Sequence, residues 1–84
     1  MSTSKGGVPP NAARAKIATL TARERQVIAL VGEGLRTRQI AQRLALSEST
    51  VRRDLASIFR KLGVAERLDL ILYAYRHGLA RIPL

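Results

Sequence analysis

Cysteine and tryptophan are absent from this sequence, and histidine occurs once, at His77. Without cysteine there is no disulfide framework and no thiolate metal site. One histidine supplies neither a His-based metal cluster nor a Ser/His/Asp triad. No nucleophile–base pair and no phosphate-cradling glycine loop stands out either, so neither a metal, another cofactor nor an enzyme is expected. No apolar run approaches the roughly 18–20 residues of a bilayer span, and no signal-peptide pattern opens the chain. A soluble cytoplasmic protein with no membrane partner is the expectation.

Aromatic residues number three, Phe59, Tyr73 and Tyr75, too few to build a stacking platform for single-stranded nucleic acid. Acidic residues are also scarce: six against fifteen Lys and Arg, a net charge of +9 in 84 residues. A charge this large on one small domain points to a polyanionic partner. Twelve of the fifteen cations are arginine, whose fork suits bidentate recognition of phosphate or guanine. Double-stranded DNA fits best.

What is present is a series of helical patterns. Residues 1–18 open with MSTSKGGVPPN, rich in Ser, Gly and Pro, and read as a flexible basic arm or linker remnant. Within it Ala12–Ile17 has room for a turn or two of helix, with little apolar surface to pack. Lys5, Arg14 and Lys16 make the arm cationic; a solvated tail and a phosphate contact are both open readings.

The domain proper, residues 19–84, starts with a helix over Leu20–Glu33. Thr21 and Glu24 form a capping box, Leu20 stands at a hydrophobic-staple position, and Val27, Ile28 and Val31 make the inward stripe. Glu24 either caps or pairs with a distant arginine such as Arg67. Gly34 ends the helix. Thr37 is placed to cap a second, short helix, Arg38–Ala45, with Ile40, Ala41 and Leu44 inward.

The stretch Ser47–Gly63 organises the chain. Ser47 reads as an N-cap and Gly63 as a left-handed stop. Between them Val51, Leu55, Ile58 and Leu62, with Phe59, form one buried stripe. The opposite face carries Ser49, Arg53, Ala56, Ser57 and Arg60, flanked by Arg52 and Lys61. A cationic face lined with small residues suits the floor of a major groove. Two helices joined by Ala45-Leu46-Ser47, the second basic and small-faced, make a helix-turn-helix, although a generic helical hairpin gives the same local pattern.

A last helix, Glu66–His77, is apolar on two sides. Leu68, Ile71, Leu72 and Tyr75 are assigned inward. Leu70, Tyr73 and His77 are left as an outward strip for a two-fold dimer. The result is an all-α four-helix bundle around a central helix-turn-helix.

LTARERQVI from Leu20, Gly34, TRQIAQRLALSESTVRRDL from Thr37, KLGV from Lys61 and then Arg67 together resemble the LuxR-type helix-turn-helix family. That family is the DNA-binding module of quorum-sensing regulators and many bacterial response regulators. The resemblance covers about Leu20 to Leu79. It implies a sequence-specific transcriptional regulator that binds double-stranded DNA through the third helix, residues 48–62, and dimerises through the fourth. A homodimer formed on DNA and a contact with RNA polymerase are the partners it admits.

By position, the family's base-reading sites fall on Arg52, Arg53 and Ala56, and its phosphate contacts on Thr37, Arg38, Ser49, Thr50 and Lys61. Ser47 and Arg60 complete the expected DNA-binding set. Two positions depart from the family. Ala56 stands where some members carry lysine, leaving only an apolar contact such as a thymine methyl. Asp54 puts an acid beside the reading helix, where it opposes phosphate unless a cation neutralises it. Two other readings remain: a promoter-reading module like that of a sigma factor, and a protein-interaction module using the last helix. Whether the chain acts alone or as the C-terminal part of a longer regulator is also open.

Overall fold

The capping box at Thr21 shows how directly local chemistry sets this architecture. The Thr21 side chain accepts from the Glu24 backbone N–H at 3.0 Å, and a Glu24 carboxylate oxygen accepts from the Thr21 N–H at 2.9 Å. Two orphan donors of the helix start are thereby satisfied. The computed structural model describes residues 10–81. Its helices are α1 (Pro10–Ala18), α2 (Ala22–Gly32), α3 (Thr37–Leu44), α4 (Glu48–Leu62) and α5 (Arg67–Arg76), with no strand among the described residues. The all-α class stands, with five helices in place of the expected four. Lys5, the rest of residues 1–9 and residues 82–84 lie outside the described residues.

The added helix is α1. Its small side chains allow close approach: Ala12, Ala13 and Ile17 are half-buried, and the helix packs on α4. Its C-terminal carbonyls are met by cations. Arg25 donates to the Ile17 carbonyl at 3.1 Å and Lys61 to the Thr19 carbonyl at 3.0 Å, where the helix dipole favours positive charge. Leu20 does not form a staple across the α2 cap, because the position facing it is the exposed Arg25; it joins the core instead.

The core is built from Val27, Ile28 and Val31 of α2, Ile40 and Ala41 of α3, Val51, Ile58 and Leu62 of α4, and Leu70 and Ala74 of α5. Packing runs α3 on α4, α2 on both α4 and α5, and α2 on α3. Helix α2 ends in a Schellman closure: Leu35 N–H reaches the Leu30 carbonyl and Gly34 N–H the Val31 carbonyl, with Gly34 at φ 93°. Helix α3 closes the same way through Leu46 to Ala41, but its left-handed residue is Ala45, φ 57°. Ala45 is the one non-glycine at positive φ among the described residues, and it turns the chain into α4. The α3 cap is Arg36, not Thr37, which is already helical; the Arg36 N–H donates to Gln39 Oε1 at 2.8 Å.

The face assignment of α5 holds only in part: Ile71 and Tyr75 pack against the core as expected, but the leucines exchange sides. Leu70 is completely buried, as is Ala74 one turn later, whereas Leu68 and Leu72 are 62% and 51% exposed. Leu70 is therefore not part of an outward dimer strip. Tyr73 is half-buried and His77 exposed, their rings 4.4 Å apart between centroids. The cause is the close approach of α5 to α2, which favours the face carrying the small Ala74 over the bulkier one. The Tyr75 hydroxyl donates to the Gly32 carbonyl at the end of α2. A side chain at buried Gly32 would put its Cβ 2.4 Å from that of Ala80.

Candidate nucleic-acid interface

Helix α4 has the limits its sequence pattern indicates, 48–62, and Ser47 caps it by accepting from the Thr50 N–H at 3.1 Å. The Ser47 hydroxyl also donates to Thr50 Oγ1 at 2.9 Å, so both hydroxyls are partly occupied within the cap. With Val51, Ile58 and Leu62 buried, Ser49, Arg52, Arg53, Ala56 and Arg60 all face outward and exposed. Arg52 is tethered one turn back to Glu48 at 3.0 Å. Arg53 has no hydrogen bond or ion pair among the described residues, and it stands near the centre of the exposed face. Arg38 is exposed and Thr37 half-buried at the start of α3. The Arg67 guanidinium donates to the Leu35 carbonyl, tying α5 to the turn that precedes α3.

Lys61 is placed differently from the rest. Its ammonium lies 2.7 Å from Glu24 Oε1 and also holds the Thr19 carbonyl, so it clamps α4 to α2 and to the α1–α2 turn. Of the two sequence readings of Glu24, capping holds; its long-range partner is Lys61, and Arg67 turns to Leu35 instead. Burial alone would raise the Glu24 pKa. Hydrogen bonds from Lys61, the Thr21 backbone and Ser57 outweigh it and lower the pKa to about 2.

Asp54 is buried at the edge of α4, and its carboxylate is neutralised by a cation that sequence reading did not single out. Arg23, in the first turn of α2, meets it with both arms of its guanidinium, Nε at 2.7 Å and Nη2 at 2.9 Å. Asp54 in turn raises the Arg23 pKa, first through the hydrogen bond and then through charge. A separation of 31 positions leaves no local signal; an acid within a basic helix is the only hint.

A small-faced basic helix set across a tight turn from a shorter one defines a helix-turn-helix DNA-binding domain. Its sequence places it more narrowly. The chain belongs to the luxR family of bacterial regulatory proteins (GerE), matching over residues 18–74. The match runs past the end of α4 and into α5.

Among its relatives, the transcriptional regulatory protein LnrK of Bacillus subtilis is 38% identical over 61 residues, 73% of this chain and 28% of LnrK. DesR of Bacillus subtilis, also named a transcriptional regulatory protein, is 39% identical over 59 residues, 70% of this chain and 30% of DesR. A Mycobacterium bovis protein bearing the name of an HTH-type transcriptional regulator is 45% identical over 60 residues, 71% of this chain and 7% of that protein. The chain thus spans less than a third of each relative's length. No helix among the described residues is long and apolar enough to cross a membrane.

Proposed function

We propose that the domain lays α4 in the major groove of a specific duplex site and regulates transcription there. Arg53 reads a base edge, while Arg38, Thr37, Ser49 and Arg60 hold the flanking phosphates. The observation that carries this reading is Arg53: exposed, central on the small-residue face, and unengaged among the described residues. Ala56 beside it leaves space for a base-pair edge, and Arg52 stands ready to exchange Glu48 for DNA. Lys61, committed to Glu24, contributes through the fold more than through phosphate.

Two copies bind together through the outer face of α5, where Leu68 and Leu72 form an exposed apolar pair one turn apart. A symmetric contact of this kind sets two recognition helices on successive turns of the groove.

Titration of labelled duplexes tests the reading. Neutralising about six phosphates gives a log–log salt slope near −5, and a flat dependence rejects DNA binding. Arg53→Ala is expected to cost about 1–3 kcal/mol on the specific site and to flatten discrimination between sequences. Arg38→Ala should weaken all duplexes alike. Equal losses on specific and random DNA for Arg53→Ala would reject its role. Leu72→Glu should leave the circular dichroism unchanged while removing cooperative occupation of two half-sites.

A further inference from the structure

The Arg23–Asp54 pair lies beside the proposed reading face yet is not accounted for by DNA contact or by core packing. Asp54 is 9% exposed at its side chain, whereas the Arg23 side chain is 48% exposed, so the pair sits at the rim where α4 emerges from the body of the domain. Asp54 follows Arg53 directly, about 100° further round the helix. The apolar seam of Val51, Ile58 and Leu62 holds α4 against the core with little directional preference, and the Lys61 clamp on Glu24 and Thr19 acts about two turns further along the helix. A bidentate fork does constrain it, because both hydrogen bonds fail if the carboxylate turns. At roughly 6 Å from the axis, a 20° roll displaces a side-chain group by about 2 Å. That exceeds the tolerance of a base-edge hydrogen bond.

We propose that Arg23 is a positioning residue for DNA recognition: its fork on Asp54 fixes the roll of α4, and so the aim of Arg53, while Asp54 holds the Arg23 charge off the phosphate backbone. The pair exchanges general affinity for discrimination. An acid within a cationic surface opposes duplex binding, and a cation bound to it is withheld from phosphate. Both effects are uniform across sequences. The gain is confined to the sequence for which Arg53 is correctly aimed. This inference rests on the proposed docking of α4, and the test separates the two.

The wild-type domain is first used to enrich a site from a duplex library with a randomised core. Affinities are then measured for the enriched duplex and for a random-sequence duplex of equal length. If wild type enriches no site, the docking of α4 fails and the inference with it. If it does, Asp54→Asn should tighten binding to the random duplex, steepen the salt slope by about 0.9, and reduce discrimination about tenfold. Arg23→Gln should reduce discrimination similarly but weaken random-duplex binding, since the Asp54 carboxylate is left bare. The double variant should discriminate no worse than either single, because both remove the same clamp.

Wild-type discrimination in either single variant, with unchanged circular dichroism and Tm, overturns the proposal. So do losses that multiply in the double variant. Arg23→Lys covers the case in which the others unfold: it keeps the charge and loses the fork, and should discriminate less sharply while staying folded. Unaltered discrimination there also overturns the proposal.

Discussion

Helices α4 and α5 both pack on α2, but they are held by different means. Helix α4 is fixed by an apolar seam and by two ion pairs from consecutive residues of the first α2 turn, Arg23 to Asp54 and Glu24 to Lys61. Helix α5 carries no ion pair to α2 among the described residues and is fixed mostly by fit: Leu70 and Ala74 are fully buried, and the tail after it presses Ala80 against Gly32. Hydrogen bonds from Tyr75 to Gly32 and from Arg67 to Leu35 secure its ends. Directional bonds set an angle, whereas shape sets a depth. The helix with the exposed arginines is held by directional bonds, and the helix that closes the core is held chiefly by complementarity.

The largest expected effect tests the shape-held side. Leu70→Ala removes a fully buried side chain where α5 meets the core, and should destabilise the domain by about 2–5 kcal/mol. Leu68→Ala, at a site 62% exposed, should change stability by less than about 0.5 kcal/mol. Urea unfolding of the two variants decides which face of α5 is inward; the opposite ranking would restore the sequence-derived assignment.

Acid tests the ion-paired side. The Glu24 pKa is depressed in the folded protein to about 2, below its unfolded value, so its contribution is present above the unfolded pKa and is lost as pH falls through the window down to about 2. The full contribution is on the order of 3 kcal/mol. Thermal unfolding between pH 6 and pH 2 should show this loss, and Lys61→Met should remove much of it. An unchanged acid profile in Lys61→Met would mean that the Glu24–Lys61 contact is not held in solution.

The same contrast explains what the sequence made legible. Helix α4 carries charges on all but one side, so its apolar residues admit a single buried stripe, and Ser47 and Gly63 mark its ends chemically. Helix α5 is apolar on two sides, and large side chains alone misdirect the choice of face. The small Ala74 decided it, through a partner helix that periodicity does not see. Helix α1 was legible only as a turn or two over Ala12–Ile17 with little to pack, for a related reason: its alanines carry little hydrophobic signal but allow close packing on α4. The pairs from Arg23 to Asp54 and from Glu24 to Lys61 span 31 and 37 residues, beyond any local pattern. The basic face was legible; the ion pairs behind it were not.

A smaller effect concerns the depth of α5. Gly32→Ala would bring a Cβ to 2.4 Å from that of Ala80, and Ala80 belongs to a backbone segment held by its N–H to the Ala74 carbonyl. Something must shift, at a cost of about 1–3 kcal/mol, the usual range for overpacking. Ala80→Gly removes the obstructing carbon, so the double variant should recover most of the loss in Tm. Failure to recover would place the strain elsewhere than at this contact.

The smallest effect turns on the polar groups of the two helices. Those of α4 at its α2 contact are paired, whereas α5 buries the Tyr73 hydroxyl with no hydrogen-bond partner among the described residues. A buried unpaired hydroxyl forfeits its water without a replacement, and the same burial raises the Tyr73 pKa. Tyr73→Phe keeps the ring, and so its contact with His77, while removing the unpaired oxygen. The variant should be more stable by about 1 kcal/mol, which corresponds to a Tm rise of about 4–8 °C for a domain of this size. The corresponding change on α4, Asp54→Leu, should go the other way, since it removes both hydrogen bonds that tie α4 to Arg23 of α2. Differential scanning calorimetry of both variants measures the contrast directly. A destabilised Tyr73→Phe would show that the hydroxyl is satisfied in solution.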